Sequence, residues 1–350
     1  MKSDVYFIKV SSADTQERAL ALKKLLQKVN PLPGWLKDEY IPIKLTIGDS
    51  SCVYNISPEW VKLIVAHIKK QGAKPFLFDT CVIYQGQRQN AVDHLNLAQY
   101  KGFSHSKIGA PFIIADGILG QDGREYEINA AHIKKIKVPS FVGMLDSLVV
   151  LTHATGHILS LYAGALKNVA MGMSCRATKQ AQHSSLKPNV IVKKCTACGC
   201  CSAVCPVKAI AYQDTKAFID SRICIGCGEC LCACKFDAIH INWHEDVHTF
   251  CKRMVEVAGF TLSKFKNKFF ITFALDITKE CDCISNKNEK MIARDIGILA
   301  SSDIVSLDKA VADLMQSNAT SRYLSKSKDV YENMFAYAQE KGLGNLEYTL

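Results

Sequence analysis

The chain has 350 residues, 16 cysteines and a formal charge of +10, from 43 Lys and Arg against 33 Asp and Glu. That length allows about two domains. No apolar run is long enough to cross a membrane, and the scattered lysines form no basic tract interleaved with aromatics that would signal nucleic acid. Ten of the cysteines lie between 195 and 234, so the excess is local and points to metal rather than to disulfides.

The opening residues contain no apolar signal core and read as a first strand, Val5–Val10. Apolar spacing predicts an amphipathic helix over 13–29, stopped by Asn30-Pro31-Leu32-Pro33-Gly34. Ile41–Ile47 reads as a second strand. Ser57-Pro58-Glu59 then opens a helix, with a capping serine and a proline in the first turn, that runs to Gln71-Gly72. Phe76–Phe78 is a short buried strand, 88–101 a helix, and Phe112–Ala115 and Leu148–Leu151 further strands. This alternation predicts an α/β fold, a mostly parallel sheet with helices on both faces. Ligands collect beyond the carboxyl ends of such strands, where this chain places Gly48-Asp49-Ser50, Asp79-Thr80, Asp116-Gly117 and Thr152-His153.

Residues 151–183 gather His153, His157, Lys167, Asn168, Arg176, Lys179 and His183 in a run rich in glycine and alanine. Small residues let a backbone approach a ligand closely, and cations beside a helix start suit a phosphate or carboxylate. A single histidine there would be an ordinary core residue; the cluster predicts a binding site for a substrate or cofactor.

The next stretch reads Cys195-x2-Cys198-x2-Cys201-x3-Cys205-Pro206 and, after a shift of 29 residues, Cys224-x2-Cys227-x2-Cys230-x3-Cys234. This spacing is the one that bacterial iron–sulfur proteins use, and its fourth cysteine serves the other cluster when two are present. Two [4Fe-4S] clusters are therefore expected, one on Cys195, Cys198, Cys201 and Cys234, the other on Cys224, Cys227, Cys230 and Cys205. The shift also lays Ala209-Ile210 on Ala238-Ile239, as expected of two half-units too small to fold alone. A zinc ribbon would use two separated C-x2-C pairs instead of triplets. Lys235 stands where the first half has Pro206, which frees the backbone after that ligand. Cys200 and Cys232 fall outside the repeat and read as fillers or sulfur hydrogen-bond donors. Each loaded site would carry 2−, leaving the chain at about +6.

Beyond the cysteines the pattern resumes with a helix near 246–258, strands at Phe269–Ile277 and Ile296–Ser301, and helices near 303–316 and 327–340, the last capped by Gly342-Leu-Gly344. The expected organisation is an α/β body in two parts, 1–189 and 243–350, with a small α+β two-cluster unit at 190–242 inserted. Cys281-Asp282-Cys283 is a further candidate: on an extended segment both thiols face one side and could grip a metal or flank a cluster, or else they are two buried thiols in a turn.

The chain resembles the iron–sulfur-centre protein family, an α/β domain of unknown function with a two-cluster ferredoxin-type insert. The resemblance rests on Asp79-Thr80, Arg88, Asp93-His94, His153, Gly156-His157, Ala165-Leu166-Lys167-Asn168, Cys281-Asp282-Cys283, Asp295-Ile-Gly297 and the terminal Gly342-Leu-Gly. It covers nearly the whole chain and implies the architecture without a reaction. The spacing of His157, Lys167 and His183 is also similar to that in the N-terminal domain of lactate racemase, although the phosphate-binding segment found there is replaced by Leu45-Thr-Ile-Gly-Asp-Ser50. That likeness implies His157 as proton donor or acceptor, Lys167 as covalent anchor of a nickel-pincer nucleotide, and His183 as nickel ligand.

These readings converge on a soluble redox protein, an iron–sulfur oxidoreductase of a reducing, anaerobic cytoplasm. It would exchange electrons with a donor or acceptor protein and pass them to a small molecule held by His157, Lys167 and His183. The rivals are a non-redox racemase or isomerase with a nickel or nucleotide cofactor at those residues, and a plain ferredoxin-type carrier.

Overall fold

A computed structural model describes residues 2–10, 13–29, 35, 37–183, 187–226, 228–241 and 246–350, including every side chain but those of Cys232 and Ser327. The expected helix stop at 30–34, the ligand Cys227 and the domain junction at 242–243 lie outside these residues.

The centre is a seven-stranded sheet of β1 (Tyr6–Lys9), β2 (Tyr40–Lys44), β3 (Lys74–Asp79), β4 (Phe112–Ile114), β5 (Ser147–His153), β6 (Asn267–Ala274) and β7 (Gly297–Ser301), in the order β1-β7-β6-β5-β2-β3-β4. β6, β5, β2, β3 and β4 run parallel; β7 is antiparallel to both its neighbours. The sheet is thus mixed α/β and mostly parallel, and it draws strands from both sides of the cysteine-rich segment.

Alternation along the strands sends successive side chains to opposite faces. Val149, Leu151, Ile271 and Phe273 pack under α1 (Thr15–Lys28), α2 (Pro58–Lys70) and α3 (Ala91–Tyr100). Leu148, Val150 and Phe270 pack on the other side against α4 (Ala165–Gly172), α6 (Val247–Ser263), α7 (Ile304–Ser317) and α8 (Tyr323–Glu340), while α5 (Arg176–His183) runs on from α4. Local chemistry fixes the helix ends. The Ser57 hydroxyl accepts from the Glu59 N–H at 3.3 Å. Gly342, at φ +73°, ends α8 with Gly342 N–H donating to Gln339 O and Leu343 N–H to Ala338 O.

The cysteine segment forms its own small cluster of buried residues around Cys195, Cys201, Cys230, Cys234, Ala217 and Ile239. A hairpin, Ile210–Gln213 with Lys216–Ile219, lies on it. Its ends are tied to each other, since Asn189–Val190 pairs antiparallel with Ile239–His240, so the chain enters and leaves side by side.

Candidate functional site: two cysteine-lined sites beside a buried cavity

The 29-residue repeat is a repeat of backbone geometry. Ala197 and Gly226 both take positive φ (57° and 71°), as do Gly199 and Gly228 (85° and 75°) and Lys208 and Asp237 (53° and 48°). Each pair is related by the same shift. The resulting turns aim N–H groups at sulfur in matching places. Ala197 N–H donates to Cys195 Sγ at 3.5 Å and Gly226 N–H to Cys224 Sγ at 3.4 Å, while Ala209 and Ala238 donate to Cys205 and Cys234 at 3.2 Å each. Such donors stabilise thiolates and tune a bound metal centre.

Two hollows open inside this unit. Cys195, Cys198 and Cys201 line one of them together with Cys234; Cys205 lines the other with Cys224 and Cys230. The fourth cysteine of each half therefore faces described cysteines of the other half's triplet. Apolar walls (Ala217, Phe236 and Ile239 in the first, Val207, Ile210 and Ile219 in the second) and an all-sulfur donor set fit iron–sulfur cubes.

A much larger cavity of about 610 Å³ lies at the carboxyl ends of β2, β3 and β5. The strand ends supply Lys44, Asp79, Thr152 and His153; α4 and α5 supply Lys167, Asn168, Lys179 and His183; the loops supply Tyr84, Arg88, His157, Cys281, Asp282 and Cys283. Six of the seven residues expected between 151 and 183 thus share one cavity. Arg176 does not. It is fully buried but turned away from the cavity, donating to Glu229 and, at 3.2 Å, to Gly228 O in the cysteine unit. Docking of that unit explains the difference, because Glu229 is the charge Arg176 meets. Of the strand exits, Asp49 and Asp116 stay off the cavity wall, and Asp116 instead accepts the Cys81 N–H at 2.9 Å.

The cavity is held by buried charge. Lys44 donates to Leu45 O (2.7 Å) and Asn168 Oδ1 (2.9 Å) and lies 3.0 Å from Asp79 Oδ1. Although burial opposes it, the Asp79 carboxylate stays below its ordinary range because Lys44, His94, Arg88 and Lys179 surround it. Arg88 donates to Thr46 Oγ1 (3.0 Å) and Tyr84 OH (2.6 Å), and Lys179 to Thr80 Oγ1 (2.6 Å). Asp79 Oδ2, Arg88 Nε and Asp282 Oδ2 are buried without a hydrogen-bond partner; all three residues line the cavity. Buried polar atoms left so are costly, and a bound polar ligand would satisfy them.

The three histidines differ. His153 faces acceptors at both ring nitrogens, Asp282 Oδ1 at 2.7 Å and Leu275 O at 2.8 Å, so its ring is held as imidazolium. Burial works to lower its pKa, but Asp282 prevails and the value is raised. His157 Nδ1 accepts the N–H groups of Ser160 (3.0 Å) and Leu159 (3.3 Å), which assigns the proton to Nε2. Burial, with Lys167 and His183 nearby, holds it neutral. His183 stacks on Phe250 at 4.9 Å, and burial brings its pKa down to about 3. Among the described residues no three His, Cys, Asp or Glu side chains converge as they would around a single ion.

The His153–Asp282 pair gives a pH signature. A raised histidine contributes stability that is complete below its unfolded value of about 6.5 and fades as pH rises through the folded one. The depressed Asp282 contributes above about 4 and loses its share as pH falls through its folded value. Denaturant unfolding should therefore show His153→Gln to be most damaging near pH 6 and progressively less so toward pH 9. A deficit that stays constant with pH would contradict the imidazolium.

The sequence reading missed Lys44 and Tyr84, and it left Cys281 and Cys283 open between an extended segment and a turn. They occupy a turn, in which Ile284 and Ser285 N–H both donate to Cys281 O at 3.0 Å. The only signal for Lys44 was a cation inside an otherwise apolar strand.

A family model described as a domain of unknown function (DUF362) matches residues 41–313. An uncharacterized ferredoxin of Methanocaldococcus jannaschii is 49% identical over 39 residues, 11% of this chain and 24% of that protein. A component of the tetrathionate reductase of Salmonella typhimurium is 41% identical over 61 residues, 16% and 24% respectively. The chain spans about a quarter of the length of these curated relatives. Among solved structures, the lactate racemase apoprotein from Thermoanaerobacterium thermosaccharolyticum is 12% identical at a TM-score of 0.45, over 88% of this chain and 58% of that one. A protein from Thermotoga maritima is 9% identical at a TM-score of 0.41, over 95% and 61%. No helix among the described residues is long and apolar enough to cross a membrane.

Proposed function

We propose, on the premise that the chain belongs to the DUF362 family, that it is an iron–sulfur redox protein serving a small-molecule site in its α/β body. Two [4Fe-4S] clusters would be held by Cys195, Cys198, Cys201 and Cys234 and by Cys224, Cys227, Cys230 and Cys205. When bound, such clusters supply one-electron transfer at potentials set by burial and by N–H···S bonds. The local matches to a ferredoxin and to a reductase component agree with electron transfer. A donor or acceptor protein is the implied partner.

The observation that carries this reading is that both cysteine sites lean on elements of the large cavity's wall. Gln85, in the stretch that brings Ile83, Tyr84 and Arg88 to the cavity, donates to the carbonyl of Cys234 at 3.0 Å. α5 reaches the cysteine unit through Arg176 and the cavity through Lys179 and His183. A plain carrier has no need of such a cavity. Its charged wall carries five cations (Lys44, Arg88, Lys167, Lys179 and the His153 imidazolium) against the anions Asp79, Asp282 and Cys283, with Val82, Ile83, Leu159 and Met171 between them. An anionic, partly apolar molecule suits it. His157 Nε2–H would donate a proton or hydrogen bond there, with Lys167 holding negative charge and His183 flanking.

A racemase-like reading draws on the fact that His157, Lys167 and His183 share the cavity. That reading asks the chain for one nickel ligand, His183, with Lys167 as the covalent anchor of the cofactor and His157 as proton donor or acceptor, all three on the cavity wall; metal analysis separates it from the redox reading.

Anaerobically purified protein should release a small anionic molecule on denaturation. Lys167→Met should lower its occupancy at least tenfold while leaving the iron content unchanged. Mass spectrometry and iron analysis on the same sample decide this. Equal occupancy in the variant, or nickel in place of iron, would count against the proposal.

A further inference from the structure

We propose that Cys281 and Cys283 form a thiol pair in the cavity that reduces small disulfides, with Cys283 as the attacking sulfur and Cys281 as the resolving one. This goes beyond the cluster reading and does not depend on it. Both thiols lie on the cavity wall, in hydrogen-bonding contact with each other within one turn. Cys283 is half-buried and Cys281 buried, so a ligand in the cavity meets Cys283 first.

The turn is pinned from three sides. Asp282 holds His153, its backbone oxygen accepts the Asp49 N–H at 2.9 Å, and Ser285 Oγ donates to Cys52 Sγ at 3.1 Å. Asp282 is itself buried, with its second oxygen unpartnered on the cavity wall.

The surroundings of the two sulfurs differ. The Cys281 thiol donates to Cys283, which Lys167, Arg88 and Tyr84 OH further hold as thiolate against burial, well below the ordinary thiol range. That same hydrogen bond, together with burial, keeps Cys281 protonated. A thiolate beside a protonated thiol is the arrangement that thiol–disulfide exchange needs. Two thiols alone make a poor site for a single metal ion, and no third donor converges on them among the described residues.

The chemistry balances without any other reductant. Cys283 S⁻ attacks one sulfur of R–S–S–R, forming Cys283–S–S–R and expelling R–S⁻, which takes a proton from solvent. Cys281 then loses its proton and attacks Cys283 Sγ. A Cys281–Cys283 disulfide forms, and the second R–S⁻ leaves with the proton that Cys281 released. Two electrons pass from the cysteine pair to the ligand, giving two R–SH.

The test uses the full chain with its iron loaded, kept anaerobic and treated with oxidised glutathione, an anionic disulfide suited to the cationic wall. Peptides are mapped by mass spectrometry after acid quench. Wild type should form the 281–283 disulfide and retain no glutathione. Cys281→Ser should hold one glutathione on Cys283, and Cys283→Ser should react at the cavity at least tenfold more slowly. A Cys283→Ser variant that reacts at the wild-type rate, or a Cys281→Ser adduct on some other cysteine, overturns the proposal. Should either variant fail to fold, the wild-type map decides: a stable adduct on Cys283, or no change at either cysteine, overturns it as well.

Discussion

Replacing Cys234 with alanine should strip the chain of the cluster built on Cys195, Cys198 and Cys201, and leave the one built on its own triplet. The hollow that Cys234 lines is the one containing that distant triplet, with Phe236 and Ala238 closing the same wall. Anaerobically reconstituted wild type should hold about eight irons per chain, and Cys234→Ala about four. The diagnostic step is a pair of double variants. Cys195→Ala added to Cys234→Ala removes two ligands of one cluster and should cost no further iron. Cys224→Ala added to Cys234→Ala attacks both clusters and should leave almost none. Residues acting in one unit are non-additive, and residues in separate units add. If the second pair keeps four irons and the first loses all, each triplet keeps its own fourth cysteine.

The second large effect concerns stability. Asp79→Ala should destabilise the fold by about 3–5 kcal/mol, the usual consequence of leaving a buried charge without its partner. Lys44 is 1% exposed and Asp79 4%, at a separation of 3.0 Å, so the ammonium would stay buried with its counter-charge gone. Asp79 also accepts the Thr80 N–H at 2.9 Å, so that donor would be orphaned too. Lys44→Met together with Asp79→Asn removes both charges, keeps the shape and should recover most of the loss. Chemical denaturation of the loaded protein measures both variants. A single variant that unfolds at the wild-type midpoint would mean that water reaches Lys44. Lys74 and Asp38, also 3.0 Å apart but exposed, provide the contrast, and Asp38→Ala should barely shift the midpoint.

What could be read from the residues alone follows from how local each signal was. The helix at Pro58–Lys70 begins with Ser57 and Pro58, both visible in the chain, and its ends matched. The strands Ser147–His153 and Asn267–Ala274 announce themselves as apolar runs. The mostly parallel sheet followed from their alternation with helices. The hairpin of Arg124–Glu127 and Lys135–Val138 was missed because its short strands are polar and lie outside the main sheet. The helices Ala165–Gly172 and Arg176–His183 went unseen because each is only 8 residues long, and the second is built mostly of polar and charged residues.

At the cavity the limit was tertiary. His153, His157, Lys167, Asn168, Lys179 and His183 come from one stretch and could be grouped by eye. Lys44 owes its place to Asp79 on the neighbouring strand, and Cys283, drawn down first by its neighbour Cys281, is drawn down further by Lys167, Arg88 and Tyr84 from two other segments. Arg176 looked like one more cation for a ligand until Glu229, 53 residues away, claimed it. Side chains that answer to partners on other segments cannot be placed by spacing alone.

The central claim is that eight sulfurs hold two four-iron clusters close beside the cavity. Electron paramagnetic resonance of dithionite-reduced, anaerobically purified protein, with iron and sulfide measured on the same sample, tests it most directly. The account predicts about eight irons and eight sulfides per chain, with two reduced centres whose spectra are broadened by each other. Four irons or fewer with a single isolated signal, or zinc in their place, would contradict it.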